Sequence, residues 1–163
     1  MNEPAEALRA LVARAHVLSL ATLDGGAPAV SLVPFAAAFG PARLYVLLSE
    51  LAAHTAALRA DARCAWMIHE PARDDDPRGG HGLARLTARA TARFLTRDEA
   101  CDAGAEALYR ARFAVAETLL GLRDFHFCEL APAAGSAAFV QGFGRAYRVT
   151  GDDLERVEHV TGR

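Results

Sequence analysis

An aromatic and a basic side chain near the carboxyl end of the chain could bind a flat, anionic molecule. Phe143 stands between two glycines, and Arg145 follows the second one. Such glycines let the backbone bend or let another group approach closely. The guanidinium group offers a planar set of donors that suits carboxylates and phosphates. The same pattern is typical of a corner in a β-barrel, so both interpretations stay open.

A second group of polar residues lies where an apolar run passes into a helical pattern. Residues 44–48 are typical of a buried strand, and residues 50–58 are predicted to form a helix with Ser49 as its N-cap. A turn from strand to helix directs free backbone N–H groups at whatever lies in front of it. A ligand in front of this turn would therefore meet backbone donors.

Residues 83–95 have a pattern that fits both a helix and a strand. Arg85, Arg89 and Arg93 recur at every fourth residue, as on one helical face, and the many alanines favour helix. However, Arg or Thr alternates with apolar residues, with Thr87 among them, and this period of two is typical of a strand. We predict a strand, because three like charges stacked on a helix would repel one another. Arg85 then either lies in solvent or contacts a cofactor.

The order of these motifs, from about Val17 to Leu154, resembles the FMN-binding split barrels of the pyridoxamine 5'-phosphate oxidase type. The branch that contains the haem-utilisation proteins is the most similar. The resemblance implies a mainly β (α+β) fold, a six-stranded antiparallel split β-barrel with flanking helices, formed by one domain over residues 1–163. It also implies an FMN site at the interface of a homodimer. The activity it implies is a flavin-dependent oxidoreductase that acts on a small-molecule substrate.

The resemblance also implies which residues surround the flavin. Ser31, Val33 and Pro34 correspond to the strand along the isoalloxazine edge, where backbone groups and the Ser31 hydroxyl face the ring. The phosphate position corresponds to the end of the next strand and the start of the helix, at Ser49, His54 and Thr55. Arg85 and Thr87 correspond to the strand beneath the flavin. Phe143 and Arg145 would complete the pocket, from the partner subunit.

One departure from the family pattern and one alternative ligand bear on the function. The vitamin-processing oxidases place a serine and a lysine at the phosphate, where this chain has Ala53 and Thr55, which predicts weaker FMN binding. The haem-utilisation branch implies a haem-binding or haem-degrading protein as the alternative, with His54 or His159 as the iron ligand. A flavin-binding module without turnover is a third hypothesis.

Composition limits the remaining classes of function. The 163 residues carry a formal net charge of −2, which predicts neither a nucleic-acid nor a membrane partner. All 18 basic residues are arginine, so Schiff-base chemistry on lysine is excluded. No nucleophile elbow, Walker loop or dinucleotide fingerprint occurs, so no catalytic side chain is predicted and a cofactor would supply the chemistry.

The spacing of the histidines and cysteines predicts no metal site. The amino-terminal residues predict a cytoplasmic protein. His69 and His81 flank the aspartates of residues 74–76, but their spacing matches no metal motif, and a solvated turn is predicted. Cys64, Cys101 and Cys128 are too widely spaced for a disulfide framework or a zinc site. The acidic start of the chain does not match a secretory signal.

The remaining elements are predicted from local patterns. Asp24-Gly25-Gly26 between two apolar runs predicts a hairpin, and Pro34 predicts that its second strand bulges or reaches a sheet edge. Thr96 and Glu99 form a capping-box pattern at a helix start. Further predictions are an amino-terminal helix over residues 6–15, a strand over 64–69, a hairpin of residues 125–130 with 136–140, and a helical turn over residues 152–157.

Overall fold

A computed structural model of the protein describes residues 3–72, 74–77 and 80–160, and this part contains nine strands and five helices. The strands are β1 (Val17–Asp24), β2 (Ala27–Ala38), β3 (Arg43–Ser49), β4 (Arg63–His69), β5 (Arg85–Phe94), β6 (Phe125–Pro132), β7 (Ala137–Gly142), β8 (Arg145–Thr150) and β9 (Arg156–His159). The helices are α1 (Glu3–Arg14), α2 (Ala53–Ala60), α3 (Arg97–Asp102), α4 (Ala105–Arg112) and α5 (Ala116–Leu120). None of these helices has the length and apolar character needed to cross a membrane.

Six antiparallel strands close into a barrel, as predicted. Their order is β4-β1-β2-β3-β6-β5, and pairing between β4 and β5 completes the ring. Strand β5 shows the alternation expected from its sequence, because Leu86, Ala88, Ala90 and Ala92 are buried while Arg89 is exposed. The prediction of a strand over a helix for this segment is confirmed.

Strand β5 divides one of its edges between two partners. Residues 85–87 pair with β7, whereas residues 90–94 pair with β6. The predicted hairpin between β6 and β7 is therefore wrong, since each of these strands pairs with β5 instead. The connection between them is held on β5, where the Arg89 carbonyl accepts hydrogen bonds from Ala133 N at 2.8 Å and Ser136 Oγ at 3.0 Å.

Strand β2 leaves part of one edge free within the described residues. Residues 27–34 pair only with β1, and residues 35–38 pair only with β3 on the opposite edge. Pro34 lies at the junction of the two halves, so its missing N–H costs no ladder hydrogen bond, as the prediction of an edge position requires. The predicted β1–β2 hairpin is confirmed, with both Gly25 and Gly26 at positive φ in its two-residue turn.

Apolar side chains form two cores on opposite sides of the barrel wall. Inside the barrel, Leu20, Phe35, Ile68 and Leu130 are fully buried, and α1 packs Leu8 against them. The second core lies outside β3 and β6, where α3, α4 and α5 cover the sheet. No described helix covers the outer face of β1, β2, β4 and β5 in the same way, and that face carries exposed apolar side chains.

Two local predictions are wrong for identifiable reasons. Ala52, not Ser49, is the N-cap of α2, because the Ser49 hydroxyl accepts from Leu51 N in a turn before the helix. Residues 156–159 form β9 instead of a helical turn, because Leu154 adopts a positive φ of 55° and Asp153 is held by Arg9. The predicted capping box at α3 is confirmed, with Glu99 N donating to Thr96 Oγ1 and Thr96 N to the Glu99 carboxylate.

Candidate functional site

The outer face of the sheet brings side chains from four strands into rows. Leu32 pairs with Ser19, Ser19 with Met67, and Met67 with Thr87, so these four side chains cross β2, β1, β4 and β5 on one face. Leu32 is 67% exposed, and its neighbour Val30 is 73% exposed. The alternation of each strand therefore places an apolar strip on β2 and polar groups on β5 on the same side of the sheet.

An open pocket of about 360 Å³ lies at the β4–β5 end of this face. Its lining residues are Met67, His69, Gly80, His81, Leu83 and Arg85. His69 and Arg85 stand opposite each other in the β4–β5 ladder. The pocket thus combines two imidazoles, one guanidinium, a thioether and an aliphatic side chain.

Hydrogen bonding fixes the tautomer of His69. Its Nδ1 lies 2.7 Å from the carbonyl oxygen of Glu70. Because a carbonyl can only accept, Nδ1 carries the proton, and in the neutral ring Nε2 has a free lone pair. This is the arrangement of a metal-ligating histidine, in which a backbone carbonyl orients the ring from behind.

Arg85 is half-buried and keeps most of its donors available. Its Nη1 donates to the Leu83 carbonyl at 3.2 Å, and that bond fixes the side chain along the pocket wall. A guanidinium group has five N–H donors in a fixed fork. Arg85 can therefore hold an anionic group at the pocket while it remains anchored to β5.

A second group of predicted site residues gathers between β2 and the first turn of α2. His54 Nδ1 lies 3.1 Å from Ser31 Oγ. Burial lowers the pKa of His54, because a partly desolvated imidazole favours its neutral form. Ser31 and His54 are thus a neutral hydrogen-bonding pair next to the free edge of β2, and their ring and hydroxyl can face a polar ligand.

The hydroxyls at the predicted phosphate position are engaged within the protein. Thr55 is fully buried, and its Oγ1 donates to the Ser49 carbonyl at 2.7 Å. Ser49 Oγ donates to the Asp124 carboxylate at 2.8 Å. Glu50 adds a second carboxylate, and the hydrogen bond from Arg59 lowers the pKa of that group. Two carboxylates therefore lie near this position, one of them paired with Arg59, and an anion here would rely on backbone donors.

The Gly-Phe-Gly-Arg segment forms the bulged turn between β7 and β8. Gly142 has a φ of 153° and Gly144 a φ of 77°, and the register between the two strands shifts at the first of these residues. Phe143 is 86% exposed at the tip of the turn. The Nη1 of Arg145 lies 3.6 Å from Glu3 Oε1. The turn therefore projects an aromatic ring into solvent near the end of β5 that carries Arg85.

The structure separates the predicted site residues into three places. Pro34, Arg85 and Thr87 lie on or beside the outer sheet face. The residues between β2 and α2 are Ser31, Ser49, His54 and Thr55. Phe143 and Arg145 lie in the β7–β8 turn. Val33 points into the barrel and is 3% exposed, so only its backbone is available to a ligand.

Sequence reasoning did not assign Met67, His69 and His81 to the binding site. His69 and His81 were considered only as a metal pair with the intervening aspartates, whereas the fold groups them with Arg85. The alternation of β4 was the usable signal, since it places Met67 and His69 on the same face. Among the described residues no group of three or more His, Cys, Asp or Glu side chains could hold a metal ion. His159, at the end of β9, packs edge-on against Tyr147 with ring centroids 5.3 Å apart.

The family model described as pyridoxamine 5'-phosphate oxidase matches residues 4–138. The chain belongs to this family. The curated protein heme oxygenase HutZ of Vibrio cholerae is 34% identical over 145 residues, which cover 88% of this chain and 79% of HutZ. Both the barrel and the predicted relation to haem-utilisation proteins are thereby confirmed.

Solved structures agree with the family assignment. A heme-binding protein from Mycobacterium smegmatis has a TM-score of 0.79 at 28% identity over 98% of this chain, which spans only 62% of that protein. The structure of Vibrio cholerae HutZ, described there as a heme storage protein, has a TM-score of 0.70 at 27% identity, with 91% of this chain and 96% of HutZ covered. An FAD-binding protein from Mesorhizobium loti shares the fold at a TM-score of 0.59 and 15% identity.

Proposed function

We propose that this protein is a haem-binding member of the pyridoxamine 5'-phosphate oxidase family. The observation that carries the proposal is the open outer-face pocket, in which His69 Nε2 is available as a ligand next to Arg85. Two relatives, 34% and 28% identical to this chain over the aligned residues, are named for haem. Flavin-dependent oxidation of a small molecule, the first expectation from the sequence, becomes the second candidate.

The pocket has the donors that a haem requires. His69 would bind the iron through Nε2, since the Glu70 carbonyl holds its other nitrogen. Arg85 would bind a propionate, because a guanidinium group forms charge-assisted hydrogen bonds with carboxylates. Met67 and Leu83 would offer apolar contacts to the porphyrin. When bound, the haem iron supplies redox chemistry that no described side chain of this site provides.

A homodimer would cover the face of the pocket that is open to solvent. The exposed strip of Val30, Leu32 and Pro34 lies on the same sheet face, and such apolar patches mark interaction surfaces. We propose that two protomers meet on this strip and that the partner contributes Phe143 and Arg145 to the site. The three free cysteines are those of a protein from a reducing compartment, which supports a cytoplasmic location.

Haem titration with histidine variants tests the proposal. The purified protein is titrated with haemin, and the Soret band is followed for the wild type, His69→Ala and His81→Ala. We expect His69→Ala to lose the ligand-dependent band shift. The control is His126→Ala, which lies on β6 away from the outer-face pocket and should leave the band unchanged. A normal spectrum for His69→Ala, with loss on His54→Ala or His159→Ala, would reassign the ligand to a residue expected from the sequence.

Turnover is tested on the haem-loaded protein. HutZ is described both as a heme oxygenase and as a heme storage protein, so its two descriptions predict different outcomes. Loss of the Soret band on addition of ascorbate, with catalase present to remove free peroxide, would support degradation. A stable Soret band under the same conditions would support binding without turnover.

Flavin binding remains the second candidate because β2 keeps a free edge beside Ser31 and His54. Backbone groups of residues 27–34 are available there to the polar edge of an isoalloxazine ring. Ser49 and Thr55 hydroxyls are engaged, so backbone N–H groups at the start of α2 would hold the phosphate. Quenching of FMN fluorescence measures this binding, and Ser31→Ala should weaken it. Tight FMN binding together with no haem binding would reverse the order of the two candidates.

A further inference from the structure

A larger cavity, separate from the outer-face pocket, lies between the end of β5, the helices α3 to α5 and the start of β6. Its volume is about 510 Å³, which is within the range of small-molecule sites. No predicted site residue lines it. The cavity lies under the helices that cover the outside of β3 and β6, whereas Met67, His69 and Arg85 lie on the outer face of β4 and β5. The two sites share no lining residue, so the proposed haem would not fill this cavity.

Apolar side chains form much of the cavity wall. They are Phe94, Leu95, Ala100, Leu120, Leu122, Phe125 and Phe127. Phe127 and Leu95 are buried, whereas Phe94 and Phe125 are only partly covered. The guanidinium group of Arg59 lies 4.0 Å from the centre of the Phe94 ring. Such walls can bury a flat apolar body, as aromatic-lined ligand sites do.

Four arginines line the same cavity, but two of them are already neutralised. Arg59 is paired with Glu50, and Arg110 is paired with both Glu106 and Glu117. Arg97 and Arg123 make no ion pair with any described residue. Arg97 Nη2 donates to the Leu120 carbonyl at 3.0 Å, which holds its side chain at the cavity.

The charges around the cavity limit the net charge of a ligand that it could bind. Among the arginines and glutamates that line the cavity or pair directly with its lining residues, four arginines face three glutamates, which leaves one formal positive charge. A singly charged carboxylate balances this charge. A phosphate carries close to two negative charges at neutral pH and would leave an excess.

We propose that this cavity is a second binding site, which takes a small monoanion with a flat apolar body and one carboxylate. Arg97 and Arg123 bind the carboxylate, and the phenylalanine side of the cavity packs against the apolar body. The site is independent of the proposed haem function, because it shares no residue with the outer-face pocket.

The probe is 2-naphthoate, with neutral 2-naphthamide as the matched ligand. Binding is measured by titration calorimetry on the haem-free and on the haem-loaded protein. We expect saturable binding of 2-naphthoate with a Kd below about 1 mM, and clearly weaker binding of the amide. Arg123→Gln should raise the Kd of 2-naphthoate about tenfold, as should Arg97→Gln, because each removes a hydrogen bond to a charged group. Haem loading should not change the Kd.

Controls separate a specific site from general attraction to a basic surface. Arg14→Gln removes an exposed arginine at the end of α1 and should leave the Kd unchanged. Circular dichroism confirms that each variant is folded. Equal binding of naphthoate and naphthamide, or an unchanged Kd in the Arg97→Gln/Arg123→Gln double variant, would overturn the proposal. Tighter binding of phenyl phosphate than of 2-naphthoate would overturn the monoanion assignment.

Discussion

The inner cysteines show how the barrel interior changes side-chain chemistry. Cys64 and Cys128 are buried inside the barrel, and Cys64 Sγ donates to the Ala90 carbonyl at 3.5 Å. Burial raises the pKa of Cys64 to about 11 and that of Cys128 to about 12. Cys101, on α3, is exposed. The three thiols should therefore differ in reactivity by their position alone.

Thiol labelling tests this difference. At pH 8 the folded protein should react rapidly with Ellman's reagent at Cys101 only, because the thiolate is the reactive form and the two buried thiols stay protonated. In urea all three thiols should react. Cys101→Ala should remove the fast phase, and a fast phase that survives in this variant would contradict the assignment.

The buried thiols also predict a loss of stability in alkali. A thiol in the unfolded chain ionises near pH 8.5, but Cys64 and Cys128 stay protonated in the folded state up to about pH 11 and 12. Burial raises the pKa of Tyr109 to about 12 as well, which adds to the effect near pH 10 and above. Between about pH 8.5 and pH 11, the folded state binds more protons than the unfolded chain. The free energy of unfolding therefore falls as the pH rises through this range.

Urea denaturation at a series of pH values measures this effect. We expect the free energy of unfolding to decrease from about pH 8.5 upwards, by at most about 1.4 kcal/mol per pH unit for each thiol. In a Cys64→Ala/Cys128→Ala variant the slope between about pH 9 and 10 should be shallower, whatever its absolute stability. An unchanged slope would show that other groups cause the alkaline loss.

At the level of elements, local sequence patterns predicted most strands but not all of their partners. The alternation of β5 and the Gly25-Gly26 turn are local signals, and both predictions are confirmed. The error at β6 and β7 has a nonlocal cause, because β5 lies between them only when the barrel is closed. Proximity in sequence favours a hairpin, but barrel closure decides the partner.

The outer-face pocket also depends on nonlocal pairing that local sequence patterns do not predict. The family resemblance pointed to Arg85, whereas His69 lies beside it only through the β4–β5 register. The role of the Glu70 carbonyl in fixing the His69 tautomer depends on the local geometry after β4. The alternation of β4 could have placed His69 on the outer face, but no motif in the sequence encodes its position beside Arg85 or its tautomer.

The capping box of α3 provides a test at this scale. Thr96→Ala removes the side chain that accepts from Glu99 N at 3.2 Å, and we expect it to lower the free energy of unfolding by about 1 kcal/mol. Thr118→Ala, at an exposed position inside α5, is the control and should be neutral or slightly stabilising. Urea denaturation of both variants gives the comparison. Equal stabilities would mean that the cap contributes little to the fold.

For the whole molecule, two parts of the outer surface of the barrel are covered differently. Helices α3 to α5 bury the outer side of β3 and β6, but Val30 and Leu32 on β2 are exposed to solvent. A second copy of the chain would bury this strip and cover the outer-face pocket at the same time. Dimerisation and cofactor binding would then depend on the same surface.

A charge on the strip should therefore disrupt the dimer. Leu32→Asp places a carboxylate in the proposed interface, and we expect it to shift the protein towards monomer in light scattering coupled to gel filtration, without haem present. Leu108→Asp, on α4 at 36% exposure, is the matched control and should not change the mass. A monomeric wild type, or a dimer that tolerates Leu32→Asp, would argue against this interface.

The shared edge of β5 has a consequence for how the chain folds. Hairpins such as β1–β2 can form early, because their residues are neighbours in sequence. β5 must instead meet β6 and β7, and its residues 85–87 pair with residues 138–140, more than fifty positions further along the chain. We expect closure at β5 to limit the folding rate, and amide protons of its central residues to be among the slowest to exchange with deuterium.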